Sequence, residues 1–343
     1  MAKLIGGQPL YDYETRTYIP RSQTPKIAVI GGGHGQSAVL RGLKTYTDRL
    51  TAIVAVSDDG GGSGVLREDL GILPPGDIRN CITALCDTEP ILEKLMNFRF
   101  RNGSLSGQSF GNLFIAAMTG ISNDFPEAVE RTCEILSVHG TVLPVTNEDV
   151  RLEATFENGR VTLGESSIYL DKKLNGCRIR SVRLVPEHPQ AISAAVEAIL
   201  SADLVLIGPG SLYTSIIPNF LVDGITEAVQ ATKAKRVFLM NVMTQDGETE
   251  GYTAVDHLHA FFEHSAPGIV DYVIMNDALP EQAVLDAYRV EDSEPIAPCR
   301  EELEAMGIRV IEKPLTARSK YARHDPERLA EAIMALYWEL RGQ

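Results

Sequence analysis

The sequence predicts an α/β fold in three layers: a doubly wound, mainly parallel sheet with helices on both faces, interrupted by a small β-rich insertion. Three observations predict it. Apolar runs at 27–30, 52–56, 202–207, 236–242 and 272–275 are short and rich in Val, Ile and Leu, as strands buried on both faces should be. Segments with apolar residues at helical spacing separate them, and strands alternating with helices build parallel sheets. Most of these runs stop at a cluster of Gly, Asp, Asn, Ser or Thr, and ligands of such sheets bind beyond the carboxyl ends of the strands.

Residues 1–25 read as an N-terminal extension, with Tyr11, Tyr13 and Tyr18 spaced among charges and no apolar period; residues 26–343 read as one domain. The first strand, Ile27, Ala28, Val29 and Ile30, stops at Gly31-Gly32-Gly33-His34-Gly35, after which Ala38, Val39, Leu40 and Leu43 mark a helix. A turn this short needs residues that tolerate positive φ, and a backbone without Cβ atoms lets a phosphate reach the amides at the helix start. An anion is therefore expected against Gly32, Gly33, His34 and Gly35. Gly33, Gly35 and Ala38 also satisfy the Rossmann-like G-x-G-x-x-A pattern, followed about twenty residues later by an acid suited to a ribose hydroxyl.

The second run ends in Ser57-Asp58-Asp59 and then Gly60-Gly61-Gly62-Ser63-Gly64. Asp58 or Asp59 would hold Mg2+ through one or two oxygens beside ligand phosphates, or accept a ribose hydroxyl; an ordinary loop or a helix N-cap also uses Asp. Pro74-Pro75-Gly76-Asp77-Ile78-Arg79-Asn80 then adds an Asp, an Arg and an Asn, which either reach a ligand or cap and decorate the next helix. Ile82, Leu85, Ile91, Leu92, Leu95 and Met96 continue a helical block, Asn102 to Gly107 form a loop, and Ser109 is placed to cap a helix. The helix over 110–118 is apolar nearly all round and should be buried, with Asn112 at its start a candidate for facing the ligand. Asp124, Pro126 and Glu127 open another helix.

Between about 140 and 185 short runs at 141–145, 150–156, 160–163 and 179–184, with Glu157-Asn158-Gly159 as a hairpin turn, predict the β-rich insertion. Helix resumes over 189–200. After the run at 202–207, Gly208-Pro209-Gly210-Ser211-Leu212-Tyr213-Thr214-Ser215 repeats the strand-to-small-residue logic of the first turn. Gly208, Pro209, Gly210, Ser211, Tyr213, Thr214 and Ser215 are expected to form a second anion cradle, with the hydroxyls assigned to binding because no base is identified beside them. Strand 236–242 ends in a polar tip carrying Asn241, Thr244, Gln245, Glu248 and Thr249, and strand 272–275 in Asn276-Asp277. Asp325-Pro326-Glu327 starts a final helix with Leu329, Ile333, Leu336, Tyr337 and Leu340 on its inner face.

Composition narrows the function classes. The 343 residues carry 46 acids against 32 bases, a formal net charge of −14; with no Lys/Arg-dense run, no nucleic-acid surface is expected. Five scattered cysteines without a C-x-x-C pair argue against a zinc or disulfide framework, and the absence of a long apolar stretch argues against membrane insertion. A cytoplasmic protein is expected. His257 and His259 diverge on a helix and do not make a metal pair. His34, at the positive end of a helix, would stay neutral and donate to an oxyanion rather than serve as a base.

Taken together, Gly-Gly-Gly-x-Gly, Asp-Asp-Gly-Gly-x-Ser-Gly, Pro-Pro-Gly-Asp-Ile-Arg-Asn, Gly-Pro-Gly-Ser-Leu-Tyr-Thr-Ser and Met-Thr-Gln-x-Gly-Glu-Thr resemble the YvcK-type gluconeogenesis factors, a group similar to CofD, the 2-phospho-L-lactate transferase. The resemblance covers nearly everything from Lys26 onward, and His34 departs from it, where the family commonly carries a small hydroxyl residue. It implies binding of a nucleotide sugar such as UDP-N-acetylglucosamine or UDP-glucose, with a role in cell shape and wall synthesis during growth on gluconeogenic carbon sources. A homo-oligomer and a cell-wall regulatory protein partner fit that role. The more distant resemblance to CofD implies a Mg2+-dependent transfer of a phospholactyl or phosphoryl group from a nucleoside-diphosphate-linked donor instead. No other cofactor is expected, whether the chain turns over a substrate stays open, and an NAD oxidoreductase rests on the G-x-G-x-x-A pattern alone.

Overall fold

The structure is a computed structural model that describes residues 10–12, 17–19, 24–86, 90–317 and 321–342. Most of the expected extension, Tyr13 included, lies outside these residues; within it, strands β1 (Leu10–Asp12) and β2 (Thr17–Ile19) pair antiparallel.

The main domain begins as β3 (Ile27–Gly31), α1 (Gly33–Leu43), β4 (Leu50–Val54), α2 (Gly61–Leu70), α3 (Gly76–Leu85), α4 (Pro90–Met96), α5 (Phe110–Gly120), α6 (Phe125–Ile135) and β5 (Thr141–Pro144). An antiparallel sheet follows, built from β6 (Arg151–Phe156), β7 (Val161–Leu163) and β8 (Ile179–Val185), with α7 (Glu165–Asn175) between the last two. The chain then returns through α8 (Ser193–Leu200), β9 (Leu204–Ile207), a π-helical turn at Leu212–Ile216, α9 (Ile217–Phe220), α10 (Ile225–Ala231) and β10 (Lys235–Leu239). It ends with α11 (Ala254–Glu263), β11 (Tyr272–Asn276), α12 (Gln282–Arg289), α13 (Arg300–Ala305), β12 (Arg309–Lys313) and α14 (Pro326–Gly342).

Seven parallel strands form the sheet in the order β12-β11-β10-β9-β3-β4-β5. The winding reverses between β3 and β9, where Val29 pairs with Leu206 and Ile30 with Ile207. Both strands are buried along their whole length, which explains their unbroken apolar runs. On one face α1 meets α14 so closely that a Cβ at Gly42 would lie 2.0 Å from the Pro326 carbonyl oxygen.

The β-rich stretch differs from the expectation in two ways. Residues 141–144 are not part of a separate sheet: Thr141 to Pro144 pair in parallel with β4 and close the main sheet at its edge. The segment also contains a helix, α7, that the residues do not advertise. Only Ile168, Asp171 and Lys172 of α7 are buried, while Leu170 and Leu174 are exposed, so no apolar stripe marks it. In β6 the alternation is as expected, with Leu152, Ala154 and Phe156 facing inward. Strand β12 was not anticipated, because at the edge of the sheet only Val310 of its five residues is buried. Among the described residues, no helix is long and apolar enough to cross a membrane.

Candidate functional site

At the reversal the β3–α1 turn and the loop after β9 face each other. Gly33 has φ +66°, a conformation that disfavours a side chain. Gly35 has a different reason: a Cβ there would fall 2.3 Å from the Pro209 carbonyl oxygen, so glycine is needed to let the two loops touch. Asp77, in the first turn of α3, accepts a hydrogen bond from the Gly33 amide at 2.6 Å. One amide of the first cradle is thus already held by a carboxylate, which the helix N-terminus favours.

The second loop is fixed by the tip of β10. Asn241 accepts from the Gly210 amide at 3.2 Å and donates to the Gly210 carbonyl at 2.8 Å, and the Ser211 hydroxyl donates to Gln245 at 2.7 Å. Glu248 is 4% exposed and accepts from the Thr214 hydroxyl at 2.9 Å and the Tyr213 amide at 3.2 Å. Thr249 accepts from the Gln245 amide. The π-turn, in which the Ile216 amide donates to the Ser211 carbonyl, adds a residue to the turn. Ser215 therefore faces the cleft, whereas Tyr213 and Thr214 are turned into the protein, the former meeting the Tyr252 hydroxyl at 2.9 Å.

The resulting cleft has a volume of about 740 Å³. Gly32, Gly33, His34 and Gly35 line it from the first turn, and Pro209, Gly210, Ser211 and Ser215 from the second loop; Asn241, Thr244 and Gln245 enter from the β10 tip, Asp58 from the loop after β4, and Asp77 from the first turn of α3. Several expected contacts are elsewhere. Asp59 accepts from the Ser166 amide at 2.9 Å, at the start of α7. Arg79 is buried and donates to Ser109 and to Asn80, at 2.8 and 2.6 Å. Asn112 is buried with its amide 3.4 Å from the Ser63 hydroxyl, and Ser63 in turn backs Asp58. Gly60, Gly208, Tyr213, Thr214, Glu248 and Thr249 stand behind the lining rather than in it. The sequence reading missed Glu165, Tyr288, Arg323 and His324, which all line the cleft. They lie in the insertion or toward the C-terminus, away from any glycine loop, and only the folded chain brings them here.

Charge is unevenly compensated. Burial pushes Asp58 above its ordinary value, and the Gly60 amide and Ser63 hydroxyl pull it partly back. Asp77 is pushed up to about 6 by burial and by the charge of Asp58, against the pull of the Gly33 amide. Glu165 is raised well above the usual carboxylate range by burial and by both of those acids. Desolvation and the Arg323 and Arg79 guanidinium groups lower His34, so it is a neutral donor or acceptor at neutral pH. His324, lowered to about 4 by burial, is neutral as well. His257 is buried with Nδ1 2.8 Å from the Thr253 carbonyl, and the five cysteines are free thiols.

A family model described as 2-phospho-L-lactate transferase CofD matches residues 27–316. A protein of Bacillus subtilis named gluconeogenesis factor is 46% identical over 92% of this chain and 99% of its own. The chain belongs to the YvcK-type branch of the CofD family. A second gluconeogenesis factor, from Halalkalibacterium halodurans, is 44% identical over 90% of this chain and 95% of its own. A crystal structure of a Bacillus halodurans protein superposes with a TM-score of 0.87 at 43% identity, covering 91% of this chain and all of that one. The seven-stranded parallel sheet and the appended three-stranded sheet are therefore those of a YvcK-type protein.

Proposed function

We propose that this YvcK-type protein is a nucleotide-sugar-binding regulator, taking UDP-N-acetylglucosamine or UDP-glucose and supporting cell shape and wall synthesis during growth on gluconeogenic carbon. The observation that carries this reading is the meeting of two glycine-rich loops at the point where the sheet reverses, the place where doubly wound sheets take nucleotides. Helix and loop amides with Ser211, Ser215 and Arg323 suit a diphosphate, and the Tyr288 ring offers a face for a base. The names of the relatives support the gluconeogenic role. Thermal unfolding with UDP-sugars, GDP and NADH, with and without Mg2+, tests it. A ligand at about 100 times its Kd adds about 2.7 kcal/mol to the native state. A Mg2+-independent rise with UDP-sugars and no product by mass spectrometry is expected; no rise with either sugar nucleotide sinks the reading.

The family description and the acids at the cleft favour one second reading, a Mg2+-dependent transferase using a nucleoside-diphosphate-linked donor. Among the described residues no three His, Cys, Asp or Glu side chains converge as a ready metal cage. Mg2+ needs only one or two carboxylates when phosphate oxygens and waters complete its shell. Asp58 and Asp77 would hold it, Asp59 being engaged at α7, and bound Mg2+ would neutralise charge developing on the departing nucleoside monophosphate as the distal phosphoryl group is transferred. A Mg2+-dependent rise with GDP, abolished by Asp58→Asn, would select this reading.

A further inference from the structure

We infer that Glu165, carried into the cleft by the insertion helix α7, is a specificity-determining residue that accepts hydrogen bonds from the hydroxyl or amide groups of the ligand's sugar. The inference rests on the nucleotide-sugar reading and adds to it a residue and a role. Helix α7 is fastened to both walls of the cleft. At its start the Ser166 amide donates to Asp59 at 2.9 Å, and Gly164, with φ +96°, lies so near that a Cβ would be 2.4 Å from the Asp59 carboxylate. Farther along, Lys172 pairs with Glu250 and Lys173 with Asp246, each at 2.9 Å, and the Tyr169 ring covers Gly247 where a Cβ would come within 2.6 Å.

The doublet Asp58-Asp59 therefore divides its work. Asp58 lines the cleft, and Asp59 grips the helix that delivers Glu165. Glu165 is the first residue of α7 and faces Asp58 and Asp77. Among the described residues no hydrogen bond or ion pair engages its carboxyl group. Holding a half-buried carboxyl group beside two others costs stability, and a ligand rich in donors would relieve that cost. The amide-bearing loops would take the diphosphate, which turns the sugar toward the acids.

Calorimetric titration of the full chain with UDP, UDP-glucose and UDP-N-acetylglucosamine tests this. The wild type is expected to prefer the sugar nucleotides over UDP, and Glu165→Ala to cut that preference, the ratio of the two Kd values, at least tenfold. Glu165→Gln, which keeps an accepting oxygen and the shape of the site, should restore part of it. As the positioning residue, Asp59 should show the same loss of preference in Asp59→Ala, together with faster hydrogen exchange over residues 165–175. If Glu165→Ala weakens UDP and the sugar nucleotides by the same factor, or neither, the inference fails while the nucleotide-sugar reading stands. If the wild type binds none of the three, that reading fails and the inference with it.

Discussion

Asp77 carries the clearest pH signature at the scale of single residues. Its ordinary value of 3.8 is raised to about 6 in the folded protein. Between those values the folded chain holds a proton that the unfolded chain has released. The stability Asp77 contributes is thus complete below about 3.8 and is lost as pH rises through about 6. Buried histidines with lowered values, His257 and His324, act in the opposite sense over part of this range, so the useful quantity is a difference. Asp77→Asn, which keeps an acceptor for the Gly33 amide, should gain stability relative to wild type at pH 8 and not at pH 4; equal differences in melting temperature at the two pH values would contradict the assignment. Gly35 gives a steric counterpart. Its missing Cβ accommodates backbone rather than a movable side chain, so Gly35→Ala should cost about 1–3 kcal/mol in denaturant unfolding. Both residues were conspicuous in the sequence, Gly35 in a phosphate turn and Asp77 as a ligand contact or helix cap, but a motif cannot say that Gly35 serves loop packing or that Asp77 already occupies an amide. Those facts depend on Pro209 and α3, remote in the chain.

Capping shows the same division among the elements. Ser109 was legible as the cap of α5, and its hydroxyl does accept from the Asn112 amide at 3.2 Å. What the sequence did not disclose is that the same hydroxyl accepts from the buried Arg79 guanidinium. Ser109→Ala should therefore cost more than a lost cap alone, about 2 kcal/mol. Ser109→Thr should retain most of the stability by keeping the oxygen; a cost below about 0.5 kcal/mol for the alanine variant would show that water replaces both bonds. Helix α7 lies at the other extreme. Its N-terminus is satisfied by Asp59, 107 residues away along the chain, and its outward leucines hide its period. After β9 the hydroxyls of Tyr213 and Thr214 were visible in the sequence, but they meet Tyr252 and Glu248 inside the protein while Ser215 lines the cleft.

For the whole molecule, the insertion sheet and the main sheet share one core. Leu152, Phe156, Ile168, Ile179 and Leu184 belong to the same buried cluster as Val29, Leu206 and Phe238. The described domain should accordingly unfold in one cooperative transition, with calorimetric and van't Hoff enthalpies in agreement; two resolved transitions would show that the insertion is an independent unit. The sequence by itself determined the doubly wound sheet, the two glycine loops and the edge at which they lie. Buried parallel strands and tight strand-to-helix turns leave local, periodic signals that need no knowledge of distant contacts. Tertiary structure alone decided which polar side chains face the cleft and which hold it together. Glu165, Tyr288, Arg323 and His324 reach it from separate parts of the chain, while Glu248, Thr214 and Arg79 are consumed by each other and by their neighbours. The physical reason is that a polar residue near a strand tip has the same local pattern whether it serves a ligand or a buried partner, and only the arrival of that partner distinguishes the two.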